Sequence, residues 1–348
     1  MMSVQLPASI PSGLWNYGHC QGIAIDTQRE YMYFSFTTVL IKTDLAGNVI
    51  GSVTGLLGHL GCIDFNDEDG RVYGSLEYKN DPIGQGILKH AGVSRTLQTA
   101  FYIVAFDVEK ISRMEMDACT DGVMTSVYLR EVVEDYSARV QNEGRTVEHR
   151  HGCSGIDGIT FGCIPGTATR RLFVAYGVYG DNSRTDNDYQ VILCYDTADW
   201  KQYEQPLSQQ NMHESGPEKP EHKFFVYTGN TTWGVQNLEY DEKTSHLLMA
   251  VYCGKKECFP NYNLYIIDGS KAPCQNVLRG VEPEMNGGML TLLDNGTGAE
   301  TPGWRFPHGS TGICSLGDGR FYVSLHGKEN GLHYTNVQLF SWNEIIAQ

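Results

Sequence analysis

A short sequence pattern, here called the phrase, recurs along the chain, and histidines occupy matching positions in or beside several copies of it. Histidine is a common metal-binding residue, so these positions suggest metal chemistry. His19 and His59 each open a copy of the phrase, and His308 directly precedes a weaker copy. Imidazole nitrogens are common ligands of transition metals, so His19, His59 and His308 are candidate metal ligands. The structural alternative is that these histidines hydrogen-bond to loop backbones and neighbouring elements.

Carboxylates at equivalent positions offer acid–base chemistry. Asp157 lies in the third copy of the phrase, and Glu77 and His326 each come directly after a copy of a second recurring phrase, two residues beyond its serine. General acid–base catalysis needs titratable groups held beside the reacting bond, so we expect Asp157, Glu77 and His326 to be catalytic. A further possibility is a calcium ion, which prefers oxygen ligands. Its candidate ligands are Asp157, Gln21, Gln236 and Glu239.

Other polar and aromatic side chains suit the recognition of a sugar. Residues 181–188 form the densest polar stretch and are flanked by tyrosines. Tyrosine rings stack on sugar faces, while amides, carboxylates and guanidinium groups meet hydroxyls. Asp and Asn are also ordinary turn residues, so a purely structural role is the alternative. The candidate substrate-binding residues are Gln21, Gln236, Tyr252, Arg184, Asp188 and Tyr176.

The elements that position these residues are short strands. The phrase begins at His19, His59, Gly155, Gly234 and Gly309, and its apolar residues alternate with a period of two. A short polar turn follows each copy, and then a second phrase rich in aromatic and β-branched residues. In the first repeat two more strands fit around residues 39–43 and 48–53. Each repeat therefore reads as a four-stranded antiparallel meander.

Five such units predict an all-β fold, a single five-bladed β-propeller over residues 1–348. The last repeat shows only three clear strands, so we expect an N-terminal strand near residues 3–6 to close the ring. The predicted blades span residues 15–55, 56–130, 150–230, 231–282 and 305–348. Helical turns are expected within residues 109–119 and 128–141.

The predicted loops are long on one face only. Second-to-third and fourth-to-first connections emerge on the same face of an up-and-down blade, and these are the long ones. They cover residues 79–97, 177–189, 253–262, 130–154, 205–232 and 279–307. Long loops on a rigid scaffold usually carry binding or catalysis, so we place the site at this mouth of the central channel. Covering blade edges or forming an oligomer interface is the alternative role.

Blade number and the spread of carboxylates over several blades resemble the five-bladed glycosidases of the arabinanase and levansucrase type. That resemblance implies glycoside hydrolysis by one carboxylic acid and one carboxylate, with Asp26 or Asp64, Asp157 and Glu239 as the acids. Asp26 departs from the pattern because it starts a turn on the opposite face. Calcium-dependent nucleotidases are also similar in blade number, but the chain has no basic cluster suited to a polyphosphate.

Composition excludes several classes of function. The net charge is −15, with 26 Lys and Arg against 41 Asp and Glu, which opposes a general nucleic-acid binder. No stretch approaches the ~20 apolar residues of a membrane span, and residues 1–15 lack the features of a signal peptide. The ten cysteines include no CxxC pair, so we expect reduced thiols and a cytoplasmic protein. No P-loop or dinucleotide fingerprint occurs, so we expect no nucleotide cofactor.

These observations lead to two hypotheses about function. The first is an enzyme, a hydrolase or lyase, acting on a small, polar, carbohydrate-derived substrate at the central funnel, with a divalent transition metal or calcium as a candidate cofactor. The second is a non-catalytic propeller that binds a small ligand or a protein partner through the same face. Propellers serve both uses, so the fold does not decide between the two hypotheses.

Overall fold

The structure, a computed structural model, describes residues 6–347 and contains five β-sheets arranged around a central channel, together with one two-stranded hairpin. Each of the five sheets is one blade, and its first strand lies beside the channel and packs against the first strands of the adjacent blades. The chain is therefore a five-bladed β-propeller, as the repeated phrases predicted.

Blades 1 and 2 are four-stranded antiparallel meanders that follow the chain outward from the channel. Blade 1 consists of Cys20–Ile25, Tyr31–Phe36, Val39–Asp44 and Val49–Thr54. Blade 2 consists of His59–Asn66, Arg71–Tyr78, Ala100–Phe106 and Met124–Tyr128.

Blades 3 and 4 follow the same plan with one irregularity. Blade 3 consists of Cys153–Cys163, Arg170–Val178, Tyr189–Tyr195 and His222–Tyr227. Blade 4 consists of Thr232–Asp241, His246–Tyr252 and Leu264–Ile267. Isolated bridges from Ile267 to Leu292 and from Leu264 to Trp304 cover the outer edge of blade 4.

Both ends of the chain form blade 5, which closes the ring. Its strands are Ile313–Ser315, Arg320–Glu329, Leu332–Ser341 and the N-terminal strand Ser9–Pro11. Ser9–Pro11 pairs antiparallel with Leu332–Ser341, which confirms closure by an N-terminal strand. The strand was predicted near residues 3–6. Residues 3–5 lie outside the described part of the chain, and Leu6 precedes the strand.

Short additions decorate the blades. Met116–Asp117 pairs in parallel with the outer strand of blade 1, and Asn286–Met289 does the same for blade 3. The remaining elements are strand Cys274–Val277, the hairpin Arg139–Asn142 and Arg145–Glu148, helices Pro82–His90, Arg130–Ser137 and Trp342–Ile346, and 3₁₀ turns Arg150–Gly152 and Trp200–Gln202. A helix thus lies within residues 128–141 as expected, whereas residues 109–119 contain only turns, bends and the two-residue strand Met116–Asp117.

Apolar side chains are buried between neighbouring blades, in five clusters that correspond to the five blade interfaces. The strands alternate, so the residues of one sheet face fill one interface and those of the other face fill the next. Cys20, Cys62, Cys153 and Cys314 belong to these cores, and no cysteine in residues 6–347 forms a disulfide.

A glycine in the repeated phrase lets the first strands approach each other near the channel. A Cβ on Gly22 would lie 2.8 Å from the backbone nitrogen of Ile63 in the next blade. A Cβ on Gly158 would lie 2.9 Å from a methyl carbon of Val235. Real Cβ atoms do not tolerate such distances, so the repeat requires glycine at these positions.

Most of the long connections lie on the predicted face, with two exceptions. Residues 107–123 join the third and fourth strands of blade 2. The stretch that we placed between blades 3 and 4 instead joins the third and fourth strands of blade 3, as residues 196–221. It runs along the outer strand of blade 2, where Gln205 forms a bridge with Ser126. Within residues 6–347 no helix is long and apolar enough to cross a membrane.

Candidate functional site

A pocket of about 540 Å³ opens at the channel mouth on the loop-bearing face. Its walls come from the starts of first strands, the ends of second strands and helix Pro82–His90. Seven of the twelve candidate residues line it: His19, Gln21, His59, Glu77, Asp157, Gln236 and Tyr252. This face and these strand positions therefore provide a pocket on which several polar side chains converge.

Three titratable side chains meet at the base of this pocket. His59 and Glu77 are paired residues of adjacent strands, and His59 Nδ1 lies 3.6 Å from Glu77 Oε1. The same nitrogen lies 3.5 Å from Asp157 Oδ1 of the next blade. Both carboxyl groups therefore approach one imidazole nitrogen. We call Glu77, His59 and Asp157 the acid cluster.

Local backbone geometry explains how Glu77 enters the cluster. Its Oε2 accepts a hydrogen bond from the backbone nitrogen of Ile156 at 3.1 Å. A Cβ on the preceding Gly155 would lie 1.9 Å from that oxygen, and Gly155 has φ +128°. Only glycine leaves the carboxylate room and adopts this conformation without strain. The first strand of blade 3 also changes register between Ile156 and Ile159, which presents Asp157 to the pocket.

Lys79 compensates the charge of the acid cluster and was not predicted. Its Nζ lies 2.5 Å from Glu77 Oε1 and 3.5 Å from Asp81 Oδ2, and it donates to the carbonyl of Ser154 at 2.7 Å. Side chains two residues apart share a strand face, so the Glu77–Tyr78–Lys79 order was a signal for this pair. The Lys79 ammonium is the cation that balances Glu77.

Burial and neighbouring charges set the protonation of the cluster. Burial raises the pKa of Asp157 well above its ordinary value, and the charge of Glu77 raises it further. Burial also raises the pKa of Glu77, whereas the Lys79 ammonium opposes that shift. Burial lowers the pKa of His59 to about 3, and Lys79 adds to this effect. His59 is therefore neutral at pH 7, and Asp157 is the carboxyl group that favours a proton.

Lys79 itself stays charged. Burial alone would lower its pKa, but the carboxylates of Glu77 and Asp81 outweigh burial and raise the pKa above its ordinary value. An ammonium beside Glu77 and a raised pKa at Asp157 make the two carboxyl groups different. That difference is what a general acid and a general base require.

Two buried atoms of the acid cluster have no hydrogen-bond partner among the described residues. They are Asp157 Oδ1 and His59 Nδ1, whose mutual distance is too long for a hydrogen bond. Asp157 Oδ2 accepts a hydrogen bond from Gln236 Nε2 at 3.2 Å. Buried polar groups are usually satisfied, so these two atoms mark a place for a ligand or water.

The pocket rim carries histidines in an arrangement that differs from the predicted metal site. His326 does not line the pocket, but its ring contacts His19 edge-on, with centroids 5.6 Å apart. His333, which does line the pocket, stacks on His326, and their Nδ1 and Nε2 atoms are 3.3 Å apart. Burial lowers the pKa of His19, and His333 adds to this shift.

The three predicted metal ligands do not line one pocket. His19 and His59 line the channel pocket, whereas His308 packs against Phe306 and Phe340. Within residues 6–347 no group of three or more His, Cys, Asp or Glu side chains is arranged to hold a metal. A metal cofactor therefore stays a prediction.

Aromatic rings form another wall of the pocket, and the most exposed was missed. Trp233 is 38% exposed and has φ +68°, which is uncommon for a bulky residue. The first strand of blade 4 shifts register between Thr232 and Val235, and this irregularity presents the indole. Tyr252 and Tyr17 also line the pocket. An open indole beside amide and carboxyl groups is suited to a ring-shaped polar ligand.

Three predicted substrate-binding residues do not line the pocket. Arg184 is buried and binds Asp186 at 2.7 Å, and Asp188 is paired with Lys256. Tyr176 is fully buried in the core between blades 2 and 3. In the loop that we expected to recognise a sugar, the charged side chains instead form ion pairs within the protein.

Carboxylates from the glycosidase comparison lie at the other end of the channel. Asp26, Asp64 and Glu239 line a separate pocket of about 240 Å³ there, away from Asp157. Asp26 accepts hydrogen bonds from the backbone of its own turn. Burial raises the pKa of Asp64 to about 6. The acids named in that comparison thus do not line one pocket.

Comparison with known proteins adds no specific relative. No family model and no curated protein matches the chain. Similar solved structures include the β-propeller domain of Cps50 (Swd1) from Myceliophteria thermophila, with 10% identity, a TM-score of 0.33 and 91% and 83% of the two chains covered. The holo PQQ domain of pyranose dehydrogenase from Coprinopsis cinerea has 9% identity, a TM-score of 0.36 and 95% coverage of both chains. A protein of unknown function from Bacteroides caccae has 8% identity, a TM-score of 0.33 and 82% and 99% coverage.

Proposed function

We propose that the channel pocket binds a small, polar, carbohydrate-derived substrate and transforms it by acid–base chemistry, as a hydrolase or a lyase. The observation that carries this proposal is the pair of unlike carboxyl groups at the base of the pocket. Asp157 has a raised pKa and Glu77 is balanced by Lys79, and both approach the same nitrogen of His59.

The proposed roles follow from these environments. Asp157 donates a proton to the leaving oxygen, because its raised pKa favours the protonated carboxyl group. Glu77 accepts a proton from water or from a substrate carbon. His59 is neutral, so its ring separates the two carboxyl groups without adding a charge. Hydrolysis and elimination both need this combination of acid and base.

The remaining walls support a sugar-like substrate. Gln21 and Gln236 offer amides to hydroxyl groups, and Trp233 and Tyr252 offer ring faces. A volume of about 540 Å³ lies within the usual range of small-molecule sites. In this proposal the enzyme works in the cytoplasm, which its ten unpaired cysteines support.

A metal-assisted form of the reaction belongs to the same proposal. His19 and His59 are the two candidate ligands that line the pocket. A divalent cation held there would polarise a substrate oxygen. Elemental analysis of purified protein tests this form, which expects close to one equivalent of metal that a His59→Ala variant fails to retain.

A second candidate function is binding without catalysis. It is favoured by the contacts that already engage both carboxylate oxygens of Glu77. Oε1 contacts Lys79, and Oε2 accepts a hydrogen bond from the backbone nitrogen of Ile156. A carboxylate held in this way has less capacity to accept a substrate proton. In that case the same face would hold a small ligand, or a protein partner, as a module.

One experiment tests both functions. A library of mono- and oligosaccharides and uronic acids is screened by thermal shift, and ligands that bind are assayed for product. Asp157→Asn and Glu77→Gln should abolish turnover and leave binding within about tenfold, because acid–base groups typically contribute 10²–10⁴-fold to rate. Asp64→Asn is the control, since Asp64 lies at the opposite mouth.

The outcomes separate the alternatives. Turnover that survives both substitutions contradicts the acid–base proposal. Binding without product for any ligand favours the non-catalytic module. No binding across the library would reject a carbohydrate-derived ligand.

A further inference from the structure

A second cavity, of about 590 Å³, lies on the outer side of blade 3 and shares no lining residue with the channel pocket. It lies among helix Arg130–Ser137, the hairpin Arg139–Asn142 and Arg145–Glu148, the turn Arg150–Gly152 and the segment 281–285. We call it the lateral cavity. The proposed acid–base chemistry uses none of its residues.

His151 lines the lateral cavity and is its most unusual residue. The side chain is fully buried, yet neither Nδ1 nor Nε2 has a hydrogen-bond partner among the described residues. Its backbone has φ +56°, and the preceding His149 has φ +67°. Buried polar groups without partners and left-handed non-glycine residues are both unfavourable, and such features concentrate at functional sites.

The imidazole is neutral in this setting. Burial lowers the pKa of His151 to about 4, and the charge of Lys223 adds to the shift. A neutral ring has one nitrogen that donates and one that accepts, and both are available here. The cavity wall therefore provides a hydrogen-bond donor that no neighbouring side chain uses.

Cations supply further donors to the same cavity. Arg150 binds Asp135 through Nη1, at 2.9 Å, and its other nitrogens have no side-chain partner among residues 6–347. Arg139 is exposed and forms no ion pair within residues 6–347. The guanidinium fork is suited to carboxylates.

Two of the three acidic side chains that line the lateral cavity are already paired with cations. Asp186 receives two hydrogen bonds from Arg184, at 2.8 and 2.7 Å. Glu131 is paired with Lys223 at 2.7 Å. Glu282 remains as a lining carboxylate for which the described residues supply no cation, and it disfavours a ligand of high negative charge. Arg139 is the lining cation without an ion pair among the described residues, so a ligand with a single negative charge is the one that it can pair with.

Apolar side chains complete the other wall. Val140, Val281, Pro283 and Met285 line the cavity, and Met285 is 36% exposed. A ligand with one polar end and an apolar body would cover these side chains and remove them from water.

We propose that the lateral cavity binds a small monocarboxylate with an apolar body. The carboxylate is held by Arg139 and Arg150 and accepts from the His151 ring, and the body lies against Val140, Val281 and Met285. This site is independent of the channel pocket, so its occupancy does not depend on the proposed catalytic function.

Isothermal titration calorimetry with hexanoate and benzoate tests the proposal on the full chain. Hexanol is the neutral analogue of hexanoate, and inorganic phosphate is the small anion without an apolar body. Hexanoate should bind the wild type, and Arg139→Gln should raise its Kd about tenfold or more, as expected when a charge-assisted hydrogen bond is lost. Arg139 is exposed, so this substitution should leave folding intact.

Arg145→Gln is the matched control. Arg145 lies on the same hairpin but donates to Ser183 and does not line the cavity. It should leave the Kd unchanged, as should Asp157→Asn in the channel pocket. Absence of hexanoate and benzoate binding, equal binding of hexanol, tighter binding of phosphate, or an unchanged Kd in Arg139→Gln would each overturn the proposal.

Discussion

Replacing Lys79 by Met should destabilise the protein by several kcal/mol and make its stability depend more strongly on pH. Lys79 and Glu77 are only 4% and 3% exposed, and their charged atoms are 2.5 Å apart. Removing one partner of a buried pair leaves the other charge uncompensated, which typically costs about 3–5 kcal/mol. The loss at Lys79→Met should therefore be of that order at pH 8.

The pH dependence follows from the proton that Glu77 then binds. Without the ammonium, the folded-state pKa of Glu77 rises further above its unfolded value, because burial already raises it. A raised carboxyl pKa contributes stability that is present at low pH and is lost as the pH rises through the folded-state pKa. The deficit of Lys79→Met relative to the wild type should therefore be smaller at pH 5 than at pH 8.

Urea unfolding at both pH values measures these free energies. A double variant, Lys79→Met with Glu77→Gln, removes the uncompensated charge and should recover a substantial part of the loss, since buried pairs can often be replaced by neutral groups. A free energy of unfolding of Lys79→Met within about 0.5 kcal/mol of the wild-type value, the usual effect of a surface substitution, would contradict a stabilising role of the buried ion pair. A double variant that is no more stable than Lys79→Met would contradict the cost of an uncompensated Glu77 charge.

Three further predictions concern closure, the opposite mouth and the aromatic wall. Ile10→Ala in the closing strand should cost about 2–5 kcal/mol in urea unfolding because Ile10 is fully buried, whereas a similar loss in the exposed control Ser9→Ala would contradict this. The pKa of Asp64 is raised to about 6, so its protonated form stabilises the wild type at low pH and this contribution is lost as the pH rises through 6. The free energy of unfolding of Asp64→Asn should therefore increase relative to the wild type between pH 5 and 8. A difference between the two proteins that does not change with pH would contradict this. Trp233→Gly should be about 1 kcal/mol more stable than Trp233→Ala, because alanine keeps the strain at φ +68°, and the reverse order would show that the strain is absent.

Repeated local patterns made the fold predictable. The copies share alternating apolar residues, and two of them place Gly22 and Gly158 where a Cβ would collide with the next blade. The outer edges were not predictable from such patterns. Cys274–Val277 pairs with Asn286–Met289, which joins blade 3, and such long-range pairings leave no periodic signal in the chain.

Strand positions made part of the site predictable. His59, Glu77 and Asp157 were expected because polar residues at strand ends contrast with apolar strands, and the structure brings them together. Trp233 depends on a register shift that a sequence does not show. Arg184 was expected in the site because its loop is polar. The charged side chains of a polar loop can pair with each other as readily as with a ligand, and Arg184 pairs with Asp186.

Carbon-13 NMR titration of the aspartate carboxyl groups measures the pKa of Asp157, on which its proposed role as the general acid depends. The Asp157 resonance is assigned by its absence from Asp157→Asn, with Asp64→Asn as the comparison. We expect Asp157 to ionise well above the ordinary aspartate range, because burial and the charge of Glu77 raise its pKa. An Asp157 carboxyl that ionises near the ordinary aspartate pKa of about 3.9 would contradict the assignment of Asp157 as the general acid.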